Sequence, residues 1–434
     1  MEGGVVVGLE AGGRAREEVD ARGLLVLPGG VDAHVHSRDP GFPEKEDWTS
    51  LTAAAAAGGV TTVVDMPNTV PAVDGASALL EKAERAASRA VVDFALWGLC
   101  RSSTSPAEAL DLLEAGAVGL KAYLGYSLRL ADRHVLYTTE SGAGLEPPPD
   151  YGTVARLAPD LARRGAPLAV HAEDPGVLRA FARPVRGYAD LLASRPALAE
   201  AVAVAALGTV SQRTGLTVRV VHLSSALGVA AARQANLAGA RLALETCPQY
   251  LWLTEADHEL LGPVLKMFPP VRTAADRAAL REALRKGEIQ TVATDHAPHA
   301  DAEKLGRGLE EALPGSPGVQ TLYPSCLELA RQLGDVGLAV GWVSQGPAVA
   351  LGLHPRKGAI EPGADADLLL VDPAADTVVT AAGMHSRQRH CALEGQRFGI
   401  AVRAVYARGE LVARDGRPVA RPGRGRLVKP APAS

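Results

Sequence analysis

His34 and His36 lie in the run Val31-Asp32-Ala33-His34-Val35-His36, directly after Pro28-Gly29-Gly30. On a β-strand, residues i and i+2 point to one face. Two imidazoles on one face at the end of a buried strand can hold a divalent metal. His171, His222 and Asp295 each close a later apolar run, and Lys121 lies inside another. Singly, a histidine is more often a satisfied core residue than a ligand, and one HxH pair is weak evidence. Six such residues, each at or near a strand end, point to a metal site. A hydrolytic centre with two metals needs one shared ligand and an open edge for water. His34 and His36 suit the first metal, and His171 and His222 the second. Asp295 can ligate through one oxygen and take a proton on the other. Lys121 sits in the apolar run Gly119-Leu120-Lys121-Ala122-Tyr123-Leu124, where an uncompensated ammonium is costly. An ammonium cannot ligate a cation, but a lysine that has reacted with carbon dioxide is an anionic carbamate able to bridge two. His296 is expected to be structural or to lie behind the ligands, and the remaining histidines carry no assigned role.

These residues need a scaffold that brings strand ends together. Apolar, β-branched runs at 24–36, 61–66, 92–97, 118–124, 167–171, 217–223, 242–246 and 289–295 alternate with helical stretches at 50–57, 76–88, 107–114, 151–164, 197–212, 226–238 and 275–286. Continuous rather than alternating hydrophobicity marks parallel strands buried on both faces. Eight of them separated by helices predict a (β/α)8 TIM barrel over 28–355, a fold whose active sites lie at the C-terminal strand ends. The candidate ligands fall there, on strands one, four, five, six and eight. Residues 1–27 and 356–434 are short-stranded and broken by Gly and Pro, and predict one composite β-sandwich built from both termini. Segments 141–149 and 300–317 read as loops over the active face, and 421–434 as a poorly ordered tail.

The chain has 434 residues, 47% hydrophobic and 22% charged, a globular balance. Its net charge of −4 offers no basic surface for nucleic acid or anionic membrane. No apolar run is read as approaching the ~20 residues of a membrane span. Residues 1–13 lack a basic segment followed by an apolar core, so no signal peptide is expected. Cys100, Cys247, Cys326 and Cys391 are scattered without CxxC spacing, as in reduced cytoplasmic proteins.

With these residues in view, the chain resembles the amidohydrolase superfamily, and within it most of all the dihydroorotases, with allantoinases and hydantoinases as close cousins. His34-Val35-His36-Ser37-Arg38-Asp39-Pro40-Gly41 followed by Lys45-Glu46-Asp47 is similar to the dihydroorotase pattern HxHxR-[DE]-PG…KED. Met66-Pro67-Asn68-Thr69 resembles MPNT, and Asp295-His296-Ala297-Pro298-His299 resembles DHAPH. The resemblance implies the barrel and sandwich, two zinc ions bridged by carboxylated Lys121, and Asp295 as catalytic acid and base. It also implies a pocket in which Arg38, Asn68 and His299 hold the substrate carboxylate, with Pro317 and Gly318 reaching the ring. A guanidinium matches a carboxylate bidentately. The expected activity is reversible hydrolysis of dihydroorotate to N-carbamoyl-aspartate, in pyrimidine synthesis, by a homo-oligomer that could associate with aspartate transcarbamoylase.

Three features depart from that pattern. Phe268 stands in Lys266-Met267-Phe268-Pro269-Pro270 where dihydroorotases usually carry asparagine. Many bacterial dihydroorotases of this branch carry aspartate where this chain has Lys121. Tyr126 follows Lys121 by five residues, as does the oxyanion tyrosine of hydantoinases. Allantoinase or hydantoinase activity is therefore the alternative. An inactive structural partner of a transcarbamoylase is disfavoured by the complete ligand set.

Overall fold

A computed structural model of the chain describes residues 1–9, 15 and 17–431. Residues 10–14, 16 and 432–434, parts of the predicted sandwich and tail, lie outside them.

Eight parallel strands form the barrel: Gly30–Val35, Val60–Asp65, an interrupted third strand (Asp93–Leu96 and Gly98–Cys100), Leu120–Tyr123, Leu168–His171, Thr217–Val220, Arg241–Thr246 and Thr291–Val292. The first five are buried along their whole length, as continuous apolar runs require. Each predicted helix is present, several with side-chain caps that fix where they start. Asp47 caps Trp48–Ala57, Ser105 caps Pro106–Ala115 and Asp150 caps Tyr151–Arg163. Gly119 opens strand four because a Cβ there would lie 2.4 Å from the Pro167 carbonyl oxygen.

The eighth strand has only two paired residues, so backbone bonds alone scarcely close the barrel. Asp32 completes the seam. Its carboxylate accepts from the Thr294 backbone N–H at 3.0 Å and from the Thr294 hydroxyl, while His36 N–H donates to the His296 carbonyl at 2.8 Å. Asp32 is fully buried, and burial lifts its pKa to about 7 against the pull of these bonds.

Both termini build the second domain. Leu25–Pro28 pairs antiparallel with Leu368–Asp372, followed by Ala401–Ala407, Glu410–Arg414 and Arg417–Pro418. A two-stranded ribbon, Thr377–Val378 with Arg397–Phe398, supplies the rest. Lys357 bolts this domain to the barrel. Its fully buried ammonium lies 2.7 Å from Asp93, 2.9 Å from Asp365 and 2.8 Å from Asp367.

Several expectations need correction. The tail is ordered through Ala431. Its residues 426–428 bond the edge of strand three that strand four does not reach, and Val428 is fully buried. The loop at 141–149 contributes Leu145–Glu146 to a small sheet with Ser127–Arg129 and His134–Leu136, and the loop at 300–317 carries the short helix Asp301–Lys304. Helix Leu322–Gln332, an almost wholly buried segment, follows strand eight. The helical stretch Tyr188–Thr214 is apolar enough by composition to span a membrane, yet Ala203, Val204 and Leu207 pack inside the fold.

Replacing Lys357 with Met should cost roughly 3–5 kcal/mol, the usual penalty for stranding buried charge. Burial pushes the Asp365 carboxyl up, but Lys357 and Arg356 outweigh it and hold it below its ordinary value. The stability gap between wild type and Lys357→Met should therefore be full at neutral pH and shrink as pH falls through the acid range. Urea unfolding at pH 7 and pH 4 measures both; equal midpoints at pH 7 would refute the role.

Candidate metal centre

The barrel mouth gathers the predicted ligands. His34 and His36 end strand one, and Asp295 follows strand eight across the Asp32–Thr294 seam. The Asp295 Oδ1 lies 3.3 Å from His34 Nε2 and 3.0 Å from His36 Nε2. Among the described residues these three form the group able to close on a metal ion. On the far side of the mouth, His171 Nδ1 and His222 Nε2 face each other at 3.0 Å. Two nitrogen lone pairs at that distance need a proton or a cation between them.

Which nitrogen each ring presents is set by its other nitrogen. His34 donates from Nδ1 to Glu245 Oε1 at 2.9 Å, His36 from Nδ1 to Asn68 Oδ1 at 2.8 Å, and His171 from Nε2 to Glu173 Oε2 at 2.9 Å. Each bond leaves the opposite nitrogen unprotonated and aimed at the site, the usual arrangement behind metal-binding imidazoles. His222 has no such partner, and its buried Nδ1 is unpaired. Burial lowers the pKa of His36 to about 4 and pushes His171 and His222 down as well, so all three are neutral at physiological pH. For Asp295 burial acts upward, but His34, His36 and Lys121 outweigh it and bring the carboxyl to about 2.

Lys121 is fully buried, and its Nζ has no hydrogen-bond partner. Burial lowers its pKa to about 7, with Asp295 and Glu245 opposing, so a large share of the amine is unprotonated near neutrality. It is near enough to act electrostatically on Asp295, His171 and His222 alike. An orphaned, buried amine that gives up its proton readily fits a lysine able to carry an anionic group.

The substrate-side residues group in the same way. Arg38 donates from Nε to the Pro298 carbonyl at 3.1 Å, and its Nη2 lies 3.3 Å from His299 Nε2. The guanidinium is nearly buried, and no carboxylate pairs with it among the described residues. Pro317 and Gly318 line a cleft with Asp295. Tyr126 packs its ring 4.7 Å from that of His171. Asn68 Oδ1 is occupied by His36, so this residue orients a ligand whatever else it touches. Arg38, His222 and Asp295 all adopt left-handed backbone conformations, with φ of 58°, 43° and 50°. Such strain in non-glycine residues costs of order 1–3 kcal/mol each and clusters at functional sites.

Sequence reasoning passed over Glu173, Glu245, Arg195 and Asp32. Glu173 shares the i, i+2 relation that exposed the His34–His36 pair, and Glu245 is a lone charge closing an apolar run, so both left a signal. Cys391, Ala392 and Leu393 also line the cleft; they come from the C-terminal domain, and nothing local marks them.

The amidohydrolase family profile matches residues 25–412. An allantoinase of Rubrobacter xylanophilus is 36% identical, over 98% of this chain and 91% of its own. A dihydroorotase of Halobacterium salinarum is 37% identical, over 89% and 86% respectively. The solved L-hydantoinase (dihydropyrimidinase) from Arthrobacter aurescens superposes with a TM-score of 0.91 at 30% identity, covering 99% of this chain and 95% of that one.

Asn68→Ala should weaken metal binding at the His34–His36 group by about 10- to 100-fold by freeing the His36 ring, with little change in melting temperature because Asn68 is only half-buried. Chelator competition reads the affinity; wild-type affinity in this variant would show that the Asn68 bond does not hold His36 for metal.

Proposed function

The chain belongs to the amidohydrolase family and is a cyclic amidohydrolase, and from that premise we propose that it is a dihydroorotase, opening dihydroorotate reversibly to N-carbamoyl-aspartate. The observation that carries this reading is Arg38. A nearly buried guanidinium without a carboxylate partner is expensive unless a ligand supplies the anion. His299 beside it donates from Nε2 to the Pro314 carbonyl at 3.0 Å, which leaves its buried, unpaired Nδ1 as an acceptor for a ring N–H. Arg38 suits a carboxylate on the ring, and His299 a neighbouring N–H.

We assign two zinc ions to the mouth, one on His34 and His36, the other on His171 and His222. Lys121, carboxylated on Nζ, would lie between them and Asp295 would be a further ligand. The unpaired Nζ supports this: its lone pair can add to carbon dioxide, giving a carbamate and releasing one proton. The chemistry supplied by bound metal is Lewis-acid polarisation of a carbonyl and activation of water near neutral pH. Arg38 would fix the ring by its carboxylate and His299 would accept from a ring N–H, orienting the scissile amide toward the histidines. Asp295, ionised and beside His36, accepts the proton of the attacking water and delivers it to the leaving amide nitrogen as the C–N bond breaks. The new carboxyl ionises, so hydrolysis releases one proton overall.

A second reading, allantoinase or hydantoinase activity, is favoured by Tyr126 against His171 and by the allantoinases among the relatives. Allantoin and hydantoin carry no ring carboxylate and leave Arg38 without its anion.

Steady-state turnover of zinc-loaded protein on dihydroorotate, allantoin and hydantoin separates these readings. Preference for dihydroorotate is expected, with Arg38→Ala lowering kcat/KM on it by roughly two to three orders of magnitude, in line with truncating a buried charged contact. Preference for allantoin, unaffected by Arg38→Ala, would overturn the dihydroorotase reading. Asp295→Asn should lower kcat by about 10²- to 10⁴-fold, the span of general acid–base catalysis. Full activity in that variant with metal bound would remove Asp295 from the proton path. Above the product carboxyl pKa of ~4, the ratio of open chain to ring should rise about tenfold per pH unit, because opening releases a proton.

A further inference from the structure

Arg195 lies outside the ligand set, at the C-terminal end of helix Tyr188–Ser194, yet two routes into the site run through it. Its Nε lies 3.2 Å from both oxygens of Glu173, and its Nη2 also bonds Oε2. Glu173 accepts from His171 Nε2. The Tyr126 ring packs on His171 at 4.7 Å. The Arg195 carbonyl accepts from Arg272 Nη1 at 2.9 Å, which anchors the backbone from which the side chain reaches inward. Its outer face is covered by Phe268, whose ring centroid lies 3.7 Å from the guanidinium carbon. Tyr137 meets Phe268 edge-on at 6.4 Å and Tyr126 at 5.1 Å. Loops after strands four, five and seven thus meet on one cation.

We propose that Arg195, capped by Phe268, is a positioning residue that fixes the His171 half of the site through Glu173, while the aromatic chain Phe268–Tyr137–Tyr126 backs the same ring. The fork of Arg195 grips Glu173 and turns its Oε2 to accept from His171 Nε2. That leaves His171 Nδ1 as the nitrogen presented to metal. Phe268 keeps water off the open face of the guanidinium, and stacking on an aromatic face stabilises an arginine in one plane. An asparagine at 268 would offer neither cover nor a ring. The departure from the dihydroorotase pattern at this position is therefore a substitution in the support of the metal site. This inference rests on the binuclear zinc reading given above.

The test is zinc titration against a chromophoric chelator, with the visible spectrum of the cobalt(II)-loaded protein as a second readout. Wild type is expected to take two equivalents. Arg195→Gln should weaken one of them by about 10- to 100-fold, the usual effect of removing a group behind a metal-binding histidine, and should alter the cobalt spectrum. Arg195→Lys keeps the charge but not the fork, and should recover only part of the affinity. Phe268→Leu keeps a partly buried apolar side chain and should weaken the same equivalent by about 3- to 30-fold, the span of a cation–π contact. Asn68→Ala acts on the other half, so its effect should add to that of Arg195→Gln. Unchanged affinity for every equivalent and an unchanged cobalt spectrum in Arg195→Gln and Phe268→Leu, with wild-type melting, would overturn the inference. A wild-type chain that takes up no zinc would overturn the proposed function, and this inference with it.

Discussion

The Asp32 carboxylate joins the last barrel strand to the first, and the site depends on where that junction falls. Strand eight pairs over two residues only. Its continuation is held to strand one by Thr294, which gives Asp32 both its backbone and its side-chain hydrogen. His34 lies two residues after Asp32, and Asp295 one residue after Thr294. The seam thus sets the separation of the two imidazoles of strand one from the carboxylate of strand eight. A slip of one residue at this junction would turn His34 and His36 to the opposite face of their strand. The bond that closes the cylinder is also the ruler for its chemistry.

From that seam the polar groups extend inward as a set of matched pairs. Glu245 serves both His34 and Arg219, with Arg219 Nη2 at 2.7 Å and both side chains buried. Glu173 serves both His171 and Arg195. Each carboxylate is neutralised by an arginine on one side and orders an imidazole on the other, which is how ionised groups survive inside a barrel core. The unpaired groups are then conspicuous by contrast. Lys121 Nζ, His222 Nδ1 and His299 Nδ1 are buried without partners, and buried polar groups in native proteins are rarely left so.

The candidate ligands were legible in the sequence because their positions obey strand geometry: a period of two at His34 and His36, and apolar runs that stop at His171, His222 and Asp295. The barrel followed from the same runs, since parallel strands buried on both faces have no polar alternation to confuse with a surface strand. What was not legible depends on contacts between distant segments. Arg195 reads as one arginine among many until the fold carries it to Glu173. Phe268 is visible as a departure from a motif, but its stacking on Arg195 is not. The tail at 421–431 is rich in Arg, Pro and Gly, a composition that resembles a loose end. Its order comes from backbone bonds to strand three that no local pattern encodes.

That tail bears on how the chain reaches its native state. Phe94 donates to the Arg426 carbonyl at 3.0 Å, and Val428 donates to the Phe94 carbonyl at 2.8 Å. The Arg426 N–H is taken by Asp93 at 2.9 Å, and Asp93 also holds Lys357. Residues made early in synthesis thus wait more than three hundred positions for their neighbours. On the ribosome the third strand emerges with one edge bare, and it stays bare until residues 426–428 have followed it. Until then the nascent barrel has an open flank to which another strand could add. Shielding that flank falls to whatever meets the chain at the exit tunnel.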